Sequence, residues 1–204
     1  RASEKEPLSI YYKDFDGNGS VDPIFCYYIN GVSYPAASRD DLLEQLPVLK
    51  KKFNDYSSYA NATINGVFSE EQLKDAGLLN VELLSTVYLQ NNGDSGFAMK
   101  PLPQEAQYAP IYAMVCADFN ADGKKDILLA GNNAWTRIKF GRYRANHGAM
   151  LIGDGKGGFS YLPQYKSGLK LRGDTRFMDT IHVAGKNLLL VGMNNTSLVS
   201  YIFD

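Results

Sequence analysis

The chain has 204 residues, 45% of them hydrophobic and 21% charged, with a formal net charge of −1. That length suffices for one or two domains with a sizeable core, and near-neutrality excludes a global attraction to nucleic acid or to an acidic membrane surface. No apolar run reaches the roughly 18–20 residues needed to cross a bilayer, so no membrane span is expected in this segment. No signal peptide is visible, and a chain that starts at Arg1 is expected to be a piece of a longer one.

Short apolar runs punctuated by Gly, Asn and Asp predict strands over 8–13, 23–30, 81–90, 97–102, 111–117, 127–130, 149–152, 159–162, 177–183, 188–193 and 198–203. One stretch breaks this pattern. Leu42, Leu46, Leu49 and Phe53 stand at helical spacing, with Ser38 as N-cap and Asp41 three residues on. Pro47 should split that helix. Ser69 and Gln72 repeat the cap logic, and Gly77 is read as the terminator. Residues 36–78 are therefore expected to be a helical insertion that interrupts a sheet without disturbing it.

Two internal repeats organise the rest. "DFDGNGSVD" (14–22) returns as "DFNADGKKD" (118–126), and "VYLQNNGDSGFAMKPLP" (87–103) returns as "AMLIGDGKGGFSYLP" (149–163). The distances Asp14 to Phe97 and Asp118 to Phe159 differ by 42 positions, close to the length of the helical insertion. The reading is an all-β, partial β-propeller of about three blades. Blade 1 covers about 8–34 plus 79–105, blade 2 about 108–165, and a degenerate blade 3 about 174–204.

The acidic loops have a ligand pattern. Asp14, Asp16 and Asn18 hold positions 1, 3 and 5, with Gly19 at 6, Ser20 at 7 and Asp22 at 9. The second loop places Asp118, Asn120, Asp122, Gly123, Lys124 and Asp126 likewise. Alternate oxygen side chains on a tight turn converge on one point, the glycine permits the turn, and position 7 offers its carbonyl. Lys124 fits if its side chain points to water. Such oxygen sets suit calcium better than magnesium, which demands stricter octahedral geometry. Position 12, bidentate Glu in an EF-hand, is Phe25 or Leu129 here, so these are calcium loops between strands. Two Ca²⁺ sites are expected.

The loops, the Ile-Leu-Leu run after the second and the "GDGKGGF" hairpin resemble FG-GAP/VCBS repeats of integrin-α-type propellers. "YPAASRDDLLEQLPVLKKKF", "FSEEQLKDAG", "GRYRANHGAMLIGDGKGGF" and "GMNNTSLVSYIF" extend the likeness over nearly the whole chain, to the C-terminal region of large exported Bacteroidetes-type repeat proteins related to the ASPIC/UnbV group. The resemblance implies calcium ligands at the ten loop positions Asp14, Asp16, Asn18, Ser20, Asp22, Asp118, Asn120, Asp122, Lys124 and Asp126. It also implies a periplasmic or cell-surface location, and further blades of a parent chain as partners. The function expected is non-enzymatic: an extracytoplasmic binding or scaffolding module for a protein or glycan. The alternative is a non-catalytic or substrate-presenting region of a larger surface enzyme of glycan use.

Other features carry less. Cys26 and Cys116 are read as two buried thiols, a disulfide being the alternative, and His147 and His182 are isolated. Trp135, Arg137, Lys139, Phe140, Arg142, Tyr143 and Arg144 make a basic, aromatic stretch. It is read first as a long loop whose aromatics pack on its own blade; the alternatives are a platform for a glycan or another anionic ligand, or one for nucleic acid, which would look similar. "RGD" at Arg172–Asp174 and Asp154 in "GDGKGG" are read as turns. No spacing places a nucleophile beside a base.

Overall fold

The computed structural model describes residues 2–203. The class is all-β: among the described residues, thirteen strands form four antiparallel sheets. The chain divides into two compact units, one ending at Leu84 and the other starting at Ser85.

In the first unit β1 (Leu8–Lys13), β2 (Asp22–Ile29), β3 (Val32–Pro35) and β4 (Gly77–Val81) lie in the order β3-β2-β1-β4. The acidic loop joins β1 to β2. Asn30 and Gly31, with φ of 50° and 79°, join β2 to β3; two positive values are what a tight hairpin turn needs. Alternation along β2 turns Asp22, Ile24 and Cys26 inward and leaves Phe25 and Tyr27 exposed on the other face.

The helical stretch folds as α1 (Arg39–Gln45), a 3-10 turn at Pro47–Lys51, α2 (Tyr56–Tyr59), α3 (Ile64–Val67) and α4 (Glu70–Lys74). Helices this short do not persist alone in water. Ser38 and Ser69 cap theirs in reciprocal boxes with Asp41 and Gln72, and Asp55 and Thr63 cap the middle two. Pro47 splits the first helix from the 3-10 turn as expected. Gly77 is not a helix terminator: it opens β4, where a side chain would meet the Tyr12 ring at 2.1 Å.

These helices do more than interrupt the sheet, as what they bury shows. Leu42, Leu46, Leu49, Phe53, Ile64, Val67 and Phe68 pack with Ile24 and Cys26 into the core of the unit. Arg39 donates to the carbonyls of Phe53 and Asn54, and Lys52 to that of Val67, tying the turns to one another. One face of a four-stranded sheet must be covered, and here these turns cover it.

The second unit opens with a hairpin of β5 (Val87–Asn91) and β6 (Phe97–Pro101) and a 3-10 turn at Gln104–Gln107. A four-stranded meander follows: β7 (Ile111–Ala117), β8 (Asp126–Gly131), β9 (Ala149–Gly153) and β10 (Phe159–Leu162). After α5 (Gln164–Ser167), β11 (Thr175–Val183), β12 (Lys186–Met193) and β13 (Val199–Phe203) form a three-stranded meander. Every residue of β8 is buried. Leu128 and Ala130 face a cluster with Met178, Leu189 and Val191; Ile127 and Leu129 face one with Leu102 and Ala106. Burial on both faces is why this strand reads as a continuous apolar run.

Two expectations fail here. The 81–90 strand is interrupted: β4 ends at Val81 and β5 begins at Val87, with the boundary between the units in the gap. The hairpin assigned to blade 1 forms a two-stranded sheet of its own. The edges of the first sheet belong instead to β3 and β4, neither of which the sequence reading separated out.

The cysteines differ. Both are free; Cys26 is buried and Cys116 exposed, so the expectation of two buried thiols holds for one of them. Cys116 points away from the face on which Ala113 and Val115 are buried. Burial pushes the Cys26 thiol up to about 12, which leaves essentially no thiolate at neutral pH. Under native conditions a thiol reagent is expected to label one cysteine per chain quickly, and the second only on denaturation. Rapid labelling of both would refute this packing of Cys26.

Candidate metal centre

Both acidic loops fold the same way. In the first, Asp14 accepts from the amides of Gly17, Asn18 and Gly19 at 2.7–3.0 Å. Asp16 accepts from the Asn18 amide, Asn18 from the Ser20 amide, and Asp22 from the Phe15 amide. In the second, Asp118 accepts from Asp122 and Gly123, Asn120 from Asp122, Asp122 from Lys124, and Asp126 from Phe119. Gly19 and Gly123 carry φ of 88° and 81°, the left-handed backbone that position 6 requires. Ala121 has φ of 57° where the first loop has Gly17 at 75°.

The amide donors offset part of the negative charge clustered in each loop. The Gly19 amide, then those of Asn18 and Gly17, hold the Asp14 carboxyl below its usual range; the Lys124 amide, then the Lys124 charge, do so for Asp122. A depressed carboxylate contributes stability above its ordinary pKa of about 4 and loses it as pH falls through the lowered value. Asp122 is exposed and Asp14 only half-buried, so screening keeps the effect small.

The phenylalanine at position 2 anchors each loop. Phe15 stacks on Phe68 at 4.1 Å, and Phe119 meets Phe203 at 4.8 Å. The buried Asp at position 9 is the second anchor, held differently in the two. Asp126 takes its second hydrogen bond from the Gly153 amide on β9 at 2.9 Å, whereas Asp22 takes it from the Gln45 side chain of α1 at 3.4 Å. A methyl added at Gly153 would lie 2.1 Å from the Lys125 carbonyl oxygen, so that approach is open to glycine alone. Sequence reasoning missed Gln45 and Gly153; the repeat offers no signal for the former, which lies outside it.

The candidate ligands converge unequally. Oxygens of Asp14, Asp16 and Asp22 lie within 4.8 Å of one another, and among the described residues this is the one such acidic group. Calcium–oxygen bonds of 2.3–2.6 Å put opposed ligands about 4.6–5.2 Å apart, so hard-cation chemistry fits this donor set. In the second loop the acids occupy positions 1, 5 and 9, with Asn120 at position 3. The Lys124 side chain is exposed, as expected, but its ammonium lies 3.5 Å from Asp122 Oδ2. It therefore competes with any cation for that carboxylate.

Comparison of the chain with protein-family models, with curated proteins and with solved structures finds no match. The structure by itself defines an all-β protein of antiparallel sheets with one acidic triad, Asp14, Asp16 and Asp22, that could hold a metal ion. Among the described residues no helix is long and apolar enough to cross a membrane.

Proposed function

We propose that this chain is a calcium-stabilised, non-enzymatic binding or scaffolding module, part of an exported β-propeller protein of the FG-GAP/VCBS kind. The observation that carries the reading is the hydrogen-bond ladder that recurs position for position in the two loops, with oxygen side chains at positions 1, 3, 5 and 9 in both. The meanders β7–β10 and β11–β13 support a blade-like organisation, since propeller blades are antiparallel meanders. The exposed apolar side chains Phe25, Tyr27, Leu79 and Val81 offer a surface for further blades of a parent chain. Calcium loops of this type suit the periplasm or cell surface, where calcium is abundant.

Calorimetry on chelator-treated protein tests the cation. Two calcium ions are expected, with Asp16→Ala removing one and Asp122→Ala the other. A stoichiometry of zero overturns the reading, as do two variants that bind like the parent. The sites should differ: Lys124→Ala removes a competing cation and is expected to tighten the second site about two- to fivefold, the scale of an exposed ion pair. Ser20→Ala should change little, because position 7 contributes its backbone carbonyl.

A further inference from the structure

The basic, aromatic stretch is neither packed away nor disordered by its charge. A two-residue bridge between Asn133 and Tyr143, with backbone hydrogen bonds of 2.8 and 2.9 Å, closes it into a loop. Its base is a buried polar network. Asn132 donates to the carbonyls of Asn146 and Gly173, and buried Asp174 accepts from the Ala134 amide. "RGD" is thus split in role: its aspartate is an internal anchor and its arginine faces out.

The loop and that arginine enclose a cavity of about 250 Å³. Trp135, Arg142, Arg144, Arg172, Asn194 and Asn195 line it, together with the acidic Asp174. Arg176 nearby shows what a structural arginine does here: it donates to the carbonyls of Asn132 and Thr175, lies 3.8 Å from Asp174 and stacks over Tyr112. Arg142, Arg144 and Arg172, in contrast, are exposed and, among the described residues, have no hydrogen-bond or ion-pair partner. Three like charges around one small cavity repel, and Asp174 is already engaged. An anion would relieve that repulsion and accept the guanidinium donors.

We propose that this cavity binds an acidic saccharide, one charged sugar unit at a time, through a carboxylate or sulfate; the proposal rests on the binding-module reading above and supplies its ligand. Trp135, largely exposed, presents an indole face for the apolar side of a pyranose ring. Asn194 and Asn195 offer both donors and acceptors for hydroxyls. The three arginines supply the charge. The cavity is smaller than the roughly 300–1,000 Å³ of sites for drug-sized ligands, which fits a single ring of a longer chain. Nucleic acid is disfavoured, because single-strand sites track the backbone with a basic groove and successive stacking rings, and the chain's net charge is −1.

Trp135 is the chain's one tryptophan, so intrinsic fluorescence reads this cavity directly. The intact chain is titrated in chelator with oligogalacturonate, a sulfated chondroitin oligosaccharide, a neutral malto-oligosaccharide and oligothymidylate. A saturable change is expected with an acidic sugar, weakening as salt rises, and none with the neutral one. Whichever acidic arm binds tighter distinguishes carboxylate from sulfate. Arg142→Ala and Arg172→Ala should each lower affinity about tenfold, the loss of one charge-assisted hydrogen bond, with unchanged circular dichroism. Lys186→Ala, at the start of β12, should not. Should Arg172→Ala fail to fold, Arg142→Ala on the exposed loop decides. Equal binding of the neutral sugar, a response to oligothymidylate alone, or no response to any probe overturns the proposal. Because the titration is run without calcium, its result and the calorimetric one fail separately.

Discussion

Replacing residues 37–75 with a short glycine-containing linker is expected to unfold the first unit, although β1, β2, β3 and β4 all remain. The deletion strips Leu42, Leu46, Leu49, Phe53, Ile64, Val67 and Phe68 from the core and leaves Ile24 and Cys26 facing water. A four-stranded sheet with neither face covered has no hydrophobic driving force to hold it. A point substitution gives the same answer on a smaller scale. Phe68 is 1% exposed and stacks on Phe15 of the first acidic loop. Phe68→Ala should cost about 3–5 kcal/mol, and should weaken cation binding in the first loop by freeing Phe15. Circular dichroism melts of both variants are the measurement. A deletion that keeps native ellipticity and a cooperative transition would show that the sheet is covered by something else.

Asp126→Ala is the second large effect. Asp126 is fully buried, and its two carboxylate oxygens accept from Phe119 and Gly153. Truncation leaves the buried Gly153 amide and the part-buried Phe119 amide without acceptors, at about 1–3 kcal/mol each. A total near 3 kcal/mol lowers the melting temperature of a unit this size by roughly 10 °C. The loss should persist in chelator, because the orphaned amides are independent of calcium. Asp22→Ala should be milder: its second partner is the Gln45 side chain at 3.4 Å, which can turn to solvent. Melting curves of the two variants, with and without calcium, separate the structural role of position 9 from its role as a ligand. Equal melting temperatures for Asp126→Ala and the parent would remove the structural role.

The sequence by itself determined what depends on near neighbours. The capping boxes of Ser38 with Asp41 and Ser69 with Gln72, the break at Pro47 and the paired acidic loops follow from residue types at fixed spacing. Their hydrogen bonds close within about seven positions of the chain, so the local order of side chains is sufficient to specify them. The strands of the β7–β10 and β11–β13 meanders were legible for a similar reason, as apolar runs separated by turn residues.

Only the tertiary structure decided what depends on which edge or face is filled. The β2–β3 hairpin claimed one edge of the first sheet and β4 the other, so the repeat at 87–101 could not join it despite its likeness to 149–162. The helices became a core because their apolar side chains pack with Ile24 and Cys26. Gln45 reaches Asp22 across 23 positions, Lys124 turned onto Asp122, and Arg172 came to a loop some 30 residues before it. Local periodicity predicts that a residue has a buried or exposed side; it does not say which distant segment meets that side, because the choice rests on competition among sheet edges and apolar faces across the whole fold.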